Sequence, residues 1–533
     1  MRDMRSRRFL CGLASAILLC AALCGCASLP EDNARVASHA FDRPEETSLG
    51  RAYEAEQASH PGLSGFRLIN GGVAALMTRA AIADLAERSI DAQYYLYSED
   101  AAGAFLLERL IAAAHRGVRV RILLDDLQLG LDELALAKLV DAHPLIEIRI
   151  FNPFPYRARW TRPFQLAFDL ERLGMRMHNK VFAADGQVAV VGGRNVSDDY
   201  FEVQSAANFR DVDVLATGPI VRDVSRHFDE YWNSPMSVSV AAFQEPFSER
   251  WGAREMQHLR RFAAEPQGPH SEYARRRDEF VKRLLGDGAD LVWAKATALA
   301  EQPVRAPADP AVPARESSAI LRALSAVRKE VRSEMVMVMA YYVPGKRGIE
   351  IASELVSRGV RVRILTNSLA STDVVAVHAG YARYRAELLA AGVELHEYRP
   401  DAPRPTPPGH VMRHGRTDSA LHAKVIVYDR RTIWIGSANS DPRSRRLNTE
   451  AGLLIESEAL AERVLKALEQ DFSPQRSWRL ALESAGGSGD KRIVWDGEQD
   501  GKPVRYTDEP PASDDRAFGA WFYSILPGIE SLL

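Results

Sequence analysis

Hydrophobic positions along this chain repeat with two different periods, and the two periods alternate in the same order in both halves. Residues 74–88 and about 102–116 carry apolar side chains at the spacing of an amphipathic helix. Each is followed by a run rich in valine, isoleucine, leucine or tyrosine, 89–97 and 118–124, which predicts a strand. The second half repeats this order from about residue 317. Such alternation predicts α/β layering.

One octapeptide makes the repetition explicit. The sequence Arg-Gly-Val-Arg-Val-Arg-Ile-Leu begins at Arg116 and again at Arg358, 242 residues later. In both copies a glycine ends a predicted helix and a predicted strand follows it. We therefore expect an α/β fold of two homologous lobes, each a central mixed β-sheet flanked by helices. The lobes should pack about a pseudo-twofold axis, as the subunits of a homodimer would.

The pattern divides the chain into six segments. The stretch between the lobes is rich in arginine, glutamate and alanine and ends in prolines, which is typical of exposed helices and a linker. The predicted segments are a signal peptide (1–26), a tether (27–61), an N-terminal lobe (62–245), a linker with a helical insertion (246–314), a C-terminal lobe (315–475) and a tail (476–533).

The first 26 residues have the layout of a secretory signal. Four arginines precede a mostly apolar stretch from Phe9 to Leu23, shorter than the roughly 20 residues that a membrane-spanning helix needs. Leu23-Cys24-Gly25-Cys26 resembles a bacterial lipoprotein box, in which the last cysteine is acylated and becomes the new N-terminus. The alternatives are an uncleaved anchor or an ordinary signal. We expect lipidation at Cys26 and a location outside the cytoplasm, on the periplasmic side, and at the outer membrane in a bacterium with two membranes.

Composition and charge narrow the classes of function. The chain of 533 residues is 46% hydrophobic and 26% charged, as in an ordinary globular protein, and its net charge is −3. Residues 1–26 contain four arginines and one aspartate, so the chain without them has a net charge of about −6. This acidity argues against a nucleic-acid partner, and an acylated chain would lie beside phospholipids.

A polar motif is duplicated in the two predicted lobes. Both copies read H-x-K-x-x-x-x-D, and each is followed by a pair of small residues and an asparagine. The separation is 244 residues for all four polar positions. The two sets are His178, Lys180, Asp185 and Asn195, and His422, Lys424, Asp429 and Asn439. Four polar positions repeated in one register indicate a duplicated unit that carries chemistry.

The spacing within the motif suggests what the site binds. Side chains two apart on a strand share a face, so His178 and Lys180 point to one side together, and so do His422 and Lys424. A neutral imidazole is a competent nucleophile or acid–base group, and an ammonium group supplies fixed positive charge. Two such pairs meeting at a twofold axis form a pocket suited to a phosphate diester.

The motif aspartates have a different expected role. Asp185 and Asp429 lie seven residues after their histidines, and on a continuous strand an odd spacing would turn them away from the pocket. We count them with the catalytic motif, but we assign them to the turn after the strand, where they hold the backbone geometry.

Other polar residues complete the predicted site. Each histidine needs a carboxylate to fix its tautomer, and Asp211 and Glu450 begin strands 33 and 28 residues after the two histidines. Asn195 and Asn439 can donate amide hydrogen bonds to phosphoryl oxygens.

Aromatic residues outside the motif have less specific expectations. The tyrosine pairs at 94–95 and 341–342 are expected to pack in the core or line the cleft. In the tail, Trp521 and Phe522 are typical of a membrane contact or, more commonly, of packing against the body of the protein.

These motifs resemble the paired signature of the phospholipase D superfamily. Longer stretches resemble its bacterial cardiolipin synthase C branch, and the resemblance covers about residues 65–533. The stretches that carry it are Arg176-Met177-His178-Asn179-Lys180, Val191-Gly192-Gly193-Arg194-Asn195, Asp441-Pro442-Arg443-Ser444, Asn448-Thr449-Glu450, Asp91-Ala92-Gln93-Tyr94-Tyr95 and Asn152-Pro153-Phe154.

The resemblance implies a phosphatidyltransferase that needs neither a metal nor another cofactor. One histidine attacks a phospholipid phosphodiester and forms a phosphatidyl–histidine, and the other handles the proton of the departing and incoming alcohols. Relatives imply that His178 is the nucleophile and His422 the acid–base group, whereas the sequence itself is symmetric. The expected partners are phosphatidylglycerol, a second phospholipid such as phosphatidylethanolamine, and the membrane surface. Whether an accessory protein takes part stays open.

Two other activities use the same chemistry. If the acceptor is water, the enzyme is a phospholipase D-type hydrolase that releases phosphatidic acid. A phosphodiesterase nuclease shares the superfamily signature, but the acidic chain and the expected acyl anchor disfavour it.

Overall fold

The computed structural model describes most of the chain outside its first 35 residues. The described ranges are 36–129, 131–157, 161–203, 207–243, 268–285, 290–303, 318–401, 418–484 and 491–525, with four separate residues between 254 and 261. The signal peptide and Cys26 lie outside these ranges.

Strands in the described part of the N-terminal half form one mixed sheet and one short pair. The sheet order is β9-β4-β3-β2-β5-β6-β8-β1, in which β2, β3 and β4 run parallel and the other pairs run antiparallel. The strands are β1 Ser64–Ile69, β2 Ser89–Tyr94, β3 Arg119–Asp125, β4 Ile146–Phe151, β5 Val181–Ala184, β6 Val188–Gly192, β7 Ala207–Arg210, β8 Asp213–Thr217 and β9 Ser237–Ser239.

The C-terminal half repeats the same sheet. Its order is β18-β13-β12-β11-β15-β16-β17-β10, and a hairpin of β19 and β20 extends the edge at β18. The strands are β10 Val292–Ala300, β11 Glu334–Met339, β12 Arg361–Asn367, β13 Glu394–Tyr398, β14 Asp418–Leu421, β15 Lys424–Tyr428, β16 Thr432–Gly436, β17 Ala451–Glu456, β18 Ser477–Ser484, β19 Lys491–Gln499 and β20 Lys502–Tyr506.

The two sheets join edge to edge. β1 pairs antiparallel with β10, which is the equivalent strand of the other half, and Gly65 lies opposite Trp293. A second connection is the parallel pair of β7 and β14. Equivalent strands meeting antiparallel give the pseudo-twofold relation, so the predicted α/β fold of two homologous lobes is confirmed.

Helices flank both sheets, and the sequence periodicity locates several of them correctly. The predicted helices 74–88 and 102–116 correspond to α2 (Gly72–Leu85) and α3 (Ala101–His115). The helices are α1 Ser48–Ser59, α2 Gly72–Leu85, α3 Ala101–His115, α4 Leu131–Asp141, α5 Arg162–Phe168, α6 Leu170–Leu173, α7 Asp198–Phe201, α8 Pro219–Trp232, α9 Pro269–Leu285, α10 Ala319–Glu330, α11 Gly345–Ser357, α12 Val375–Ala382, α13 Arg385–Ala390, α14 Pro442–Arg446, α15 Glu458–Glu469 and α16 Asp514–Ile525. Across the ranges given above, no helix combines the length and the apolar character needed to cross a membrane.

The buried side chains form a layered core. Successive residues of β5, such as Val181 and Phe182, point into different clusters, as the period of a strand requires. One cluster lies between the sheets and contains residues of both halves together with the equivalent helices α8 and α15. Each half also has an outer cluster, which lies under its own flanking helices. The halves therefore share an apolar layer, which holds the site between them in place.

Two predicted segment boundaries differ from the structure. β10 lies inside the predicted linker 246–314, yet it pairs with β1 and β17 and belongs to the C-terminal sheet. Likewise, the predicted tail 476–533 begins with β18, which pairs with β13. The partners of these strands are distant in sequence, so nothing in the local composition marks the strands as part of a sheet.

The predicted tether also contacts the body. Within 36–61, the Ala40 N–H donates to the carboxylate of Asp229, and the Ser38 N–H donates to Asn233 Oδ1. These residues therefore form part of the N-terminal lobe surface.

Candidate active site

Both motif histidines lie where the chain leaves its own sheet and contacts the other half. His178 precedes β5, and its backbone N–H donates to Thr449 O at 2.9 Å. His422 precedes β15, and its backbone N–H donates to Arg210 O at 2.8 Å. The sequence predicts that His178 lies within a strand, but β5 starts three residues after it. The backbone N–H of His178 bonds to the other half and not to a neighbouring strand of its own sheet, so the regular pairing of β5 begins only after it.

Each histidine contacts a carboxylate from the other half. His422 Nδ1 lies 2.7 Å from Oδ2 of Asp211, and His178 Nδ1 lies 2.9 Å from Oε2 of Glu450. These are the two carboxylates that the sequence predicts as orienting groups, but spacing along the chain pairs each with the histidine of its own lobe. The partners are crossed because each histidine lies at the contact between the two halves. Spacing along one lobe does not reveal that contact.

The hydrogen-bond partners fix the tautomer of both imidazoles. His178 Nδ1 also lies 3.1 Å from Ser437 O. Carboxylate and carbonyl oxygens only accept hydrogen bonds, so Nδ1 of His178 carries the proton. Nδ1 of His422 lies 3.2 Å from Lys424 Nζ but closer to the Asp211 carboxylate, so it carries its proton toward that carboxylate. Nε2 then holds the lone pair, which is the arrangement required for a nucleophile or a proton acceptor.

Burial keeps both imidazoles neutral. It lowers the pKa of His178 to about 4 and that of His422 to about 3. The nearby lysines add to this lowering and the carboxylates oppose it. His178 is only 7% exposed, so its surroundings are dry as well as charged.

The motif lysines lie beside the histidines and face aromatic rings. Nζ of Lys180 and of Lys424 donates to the backbone oxygen of the adjacent histidine at 2.5 Å. The Tyr95 ring centroid lies 5.3 Å from Lys180 Nζ, and the Tyr341 centroid lies 5.7 Å from Lys424 Nζ. Burial lowers the pKa of both ammonium groups. After burial, the charge of each lysine also lowers the pKa of the histidine in the other half, which places both pairs in one site.

The motif aspartates bind backbone amides away from the histidines. Asp185 accepts from the N–H groups of residues 87–89 at 2.8 to 2.9 Å, and Asp429 accepts from those of 332–334 at 2.8 to 3.0 Å. Both adopt a positive φ, 55° and 48°, in the turn after the motif strand. They therefore hold the turn against the start of the neighbouring strand.

The two motif asparagines differ in their contacts. The Asn195 amide accepts from the Leu96 N–H at 3.3 Å and donates to Tyr200 Oη at 2.9 Å. Asn439 Oδ1 is buried and has no partner among the described residues. The amide of Asn195 is thus committed to partners inside the protein, whereas the amide oxygen of Asn439 is not.

Several residues of the site were not predicted from the sequence. Ser437 and Ser444 donate their hydroxyls to the Glu450 carboxylate, Ser444 at 2.9 Å. Tyr200 Oη lies 3.3 Å from His422 Nε2. Extending the 244-residue offset beyond the asparagines would have marked positions 200 and 444 as equivalent. Of the tyrosine pairs, Tyr95 lines the site as expected.

No group of three or more histidine, cysteine, aspartate or glutamate side chains arranged to hold a metal ion occurs in the part of the chain that the structure describes.

Comparison with known proteins agrees with this geometry. A family model described as "Cardiolipin synthase, PLD-like domain" matches residues 81–232 and 326–472, one range in each half. Cardiolipin synthase C of Escherichia coli K12 is 36% identical over 489 residues, covering 89% of this chain and 98% of that protein. Cardiolipin synthase A of Pseudomonas fluorescens SBW25 is 28% identical over 408 residues, covering 76% of this chain and 68% of that protein.

A solved structure has the same architecture. The phosphatidylserine synthase of Haemophilus influenzae Rd KW20 aligns with a TM-score of 0.53 at 14% identity, covering 81% of this chain and 92% of that chain. This likeness concerns the fold alone. The family match, the identity over most of the chain and the paired motifs together show that the chain belongs to the phospholipase D superfamily, in its cardiolipin synthase branch.

Proposed function

We propose that this protein transfers phosphatidyl groups between phospholipids and makes cardiolipin from phosphatidylglycerol and a second phospholipid. The observation that carries the proposal is the crossed pair of histidines, each neutral and each oriented by a carboxylate of the other half. Two such imidazoles at one site can act on the two sides of a single phosphorus atom. A hydrolase releasing phosphatidic acid would use the same groups.

The reaction proceeds in two displacements. His178 attacks phosphorus and forms a phosphatidyl–histidine, while His422, which takes up a proton on Nε2 once the phosphodiester anion is bound, protonates the departing alcohol. His422 then deprotonates the incoming headgroup alcohol, which displaces His178. Lys180, Lys424 and the Asn439 amide stabilise the charge that develops on the phosphoryl oxygens. Burial of these groups favours a lipid alcohol over water as acceptor, because the site is kept dry.

Product analysis tests this proposal. Purified protein is incubated with phosphatidylglycerol labelled in its phosphate, with and without phosphatidylethanolamine, and the lipids are separated. Labelled cardiolipin is the expected product. Phosphatidic acid as the sole product would identify a hydrolase, and degradation of single-stranded DNA without any lipid product would identify a nuclease.

A lipid surface is the expected location of the substrates, and α16 provides a face suited to it. Its exposed apolar side chains are Phe518 (64% exposed), Trp521 (57%), Phe522 (42%) and Ile525 (57%). Aromatic side chains of this kind are favoured at membrane–water interfaces.

Contacts connect α16 to residues beside the site. The Arg516 guanidinium donates to Thr372 O, and the Arg383 guanidinium donates to Ser524 O at 2.7 Å. Next to Thr372, Asp373 accepts from the Tyr341 hydroxyl at 2.6 Å, and that tyrosine faces the site lysine. An inserted α16 would therefore bring the Tyr341 side of the site close to the bilayer.

Vesicle binding tests the role of α16. Trp521→Ser together with Phe518→Ser should reduce binding of the unacylated protein to phosphatidylglycerol vesicles, while Leu285→Ser, another exposed apolar residue, should not. Equal binding of all three proteins would contradict a membrane role for α16.

The anchor is a separate proposal that rests on the sequence. Acylation at Cys26 would fix the protein to a membrane outside the cytoplasm, with residues 27–35 between the lipid and the described fold. Labelling cells with a tagged fatty acid should mark the wild-type protein and leave Cys26→Ser unmarked. Label retained by the variant would contradict the anchor.

A further inference from the structure

The two half-sites share their histidine, lysine and asparagine but differ beside one histidine. With the 244-residue offset, Tyr200 on α7 corresponds to Ser444 on α14. Both follow a side chain that caps the start of the helix, Ser197 in the first half and Asp441 in the second. A phenol reaches much farther than a serine hydroxyl, so this position makes the two half-sites chemically unequal.

Tyr200 contacts the reactive face of His422. Its Oη lies 3.3 Å from His422 Nε2, and its ring meets the imidazole edge-on with the centroids 4.9 Å apart. The Asn195 amide donates to the same oxygen at 2.9 Å. Because the Nδ1 proton of His422 is directed to Asp211, Nε2 is an acceptor. The phenol O–H therefore donates to the Nε2 lone pair.

The equivalent residue of the other half does something different. The Ser444 hydroxyl donates to Glu450 Oε1 at 2.9 Å and accepts from the Asn439 N–H at 3.3 Å. Ser444 thus supports the carboxylate that orients His178. Within the described residues, no side chain hydrogen-bonds His178 Nε2, so its lone pair is available.

We infer that Tyr200 is a positioning residue that reserves His422 for proton transfer and leaves His178 as the nucleophile. This inference rests on the proposed phosphatidyl transfer. A lone pair that accepts a hydrogen bond from a phenol is held away from phosphorus. A group that only transfers a proton can instead change its hydrogen-bond partner from the phenol to the substrate alcohol, without forming a covalent bond.

The two displacements balance with these assignments. In the first, His178 Nε2 bonds to phosphorus, the P–O bond to the departing alcohol breaks, and that oxygen takes the proton from His422 Nε2. His422 holds this proton in the complex because the bound phosphodiester anion offsets the lysine charges. In the second, the incoming alcohol gives its proton to His422 Nε2, its oxygen bonds to phosphorus, and the P–N bond breaks.

The hydrogen bond from Tyr200 should change how the reaction rate depends on pH. The charged and titratable groups facing His422 are Asp211 between β7 and β8, Lys424 on β15, Lys180 ahead of β5, and Tyr200. The phenol stabilises the neutral imidazole, so its loss should favour the protonated form. His422 must be neutral in the second displacement. The acid limb of kcat/KM for the acceptor lipid should therefore move to higher pH in Tyr200→Phe.

Steady-state kinetics over a range of pH tests the inference on the full-length protein. Tyr200→Phe keeps the ring, so we expect KM for the donor lipid to stay within about twofold while kcat falls roughly tenfold or more. Tyr97→Phe is the matched control, because the Tyr97 hydroxyl donates to Gly103 O within the fold and not to the site. Equal Tm values would show that both variants fold.

Two results would overturn the role of Tyr200. One is a wild-type rate and pH profile in Tyr200→Phe, and the other is a uniform loss of rate at every pH with the acid limb unmoved. Both differ from failure of the proposed function itself, in which the wild-type protein would produce no phosphatidyl transfer from phosphatidylglycerol.

Discussion

Gly193 and Ser437 occupy equivalent positions, and this difference determines how each orienting carboxylate is held. A Cβ at Gly193 would lie 2.5 Å from Asp211 Oδ1, so a larger residue fits only if Asp211 moves. Ser437 instead donates its hydroxyl to Glu450, which is one methylene longer. At the residue scale, each half therefore has its own solution for presenting a carboxylate to the opposite histidine.

Removing either carboxylate charge should impair catalysis without unfolding the protein. Asp211→Asn and Glu450→Gln can each present an amide N–H to the imidazole and favour the wrong tautomer, so we expect kcat to fall roughly 10²- to 10⁴-fold. Glu456→Gln, an exposed glutamate at the far end of β17, is the control. Near-normal kcat in either site variant, measured by cardiolipin formation, would show that the crossed contacts do not orient the histidines.

The buried histidines should also make stability depend on pH. The pKa of His178 is lowered to about 4 and that of His422 to about 3, against an ordinary value of 6.5. Between pH 4 and 6.5 the unfolded chain therefore binds more protons, and the free energy of unfolding decreases as the pH falls through this window. Each histidine contributes at most roughly 1.4 kcal/mol per pH unit. Urea unfolding of a His178→Gln, His422→Gln variant should show a shallower dependence; an unchanged slope would contradict burial of neutral imidazoles.

At the scale of the elements, the motif aspartates act as connectors between strands. Asp185 binds the amides that lead into β2, and Asp429 binds those that lead into β11. Each turn is thereby tied to the central strand of its half. This explains why an aspartate recurs at a fixed distance from each histidine although neither carboxylate reaches the site.

Loss of the first connector should destabilise the fold more than it affects the chemistry. Asp185→Ala removes the acceptor of three N–H groups and places alanine at a φ of 55°, so we expect the free energy of unfolding to fall by about 3 kcal/mol. Asp429 is less buried, and Asp429→Ala should cost less. Denaturant titration measures both. A large loss of kcat with unchanged stability would instead assign Asp185 to the chemistry.

The sequence was informative about elements whose pattern is local. Helical and strand patterns locate α2, α3, β2 and β3, because each is a local run of apolar residues that becomes buried. The interruption before β5 and the strand β10 could not be predicted in the same way. Both depend on hydrogen bonds to segments far away in the chain, such as the one from His178 N to Thr449 O.

At the scale of the whole molecule, duplication is what makes the site. The shared apolar layer between the sheets brings the motif of one half against the carboxylate of the other. The motifs and the doubling are readable from the sequence, since the motif positions recur at one offset, and the carboxylates are readable because each begins the strand that follows its motif. The crossing of partners and the contact of Tyr200 with His422 are not, because they arise only when the two halves pack together.

Trapping the covalent intermediate tests most directly whether the two histidines serve one phosphorus atom. His422→Ala is mixed with phosphatidylglycerol labelled in its phosphate, quenched in alkali, and digested for peptide mapping, in parallel with wild type and His178→Ala. We predict one phosphatidyl group per chain at most, carried by His178, with no label and no turnover in His178→Ala. Label on both histidines, or turnover retained by either single variant, would show that the halves act as separate sites and would contradict the account.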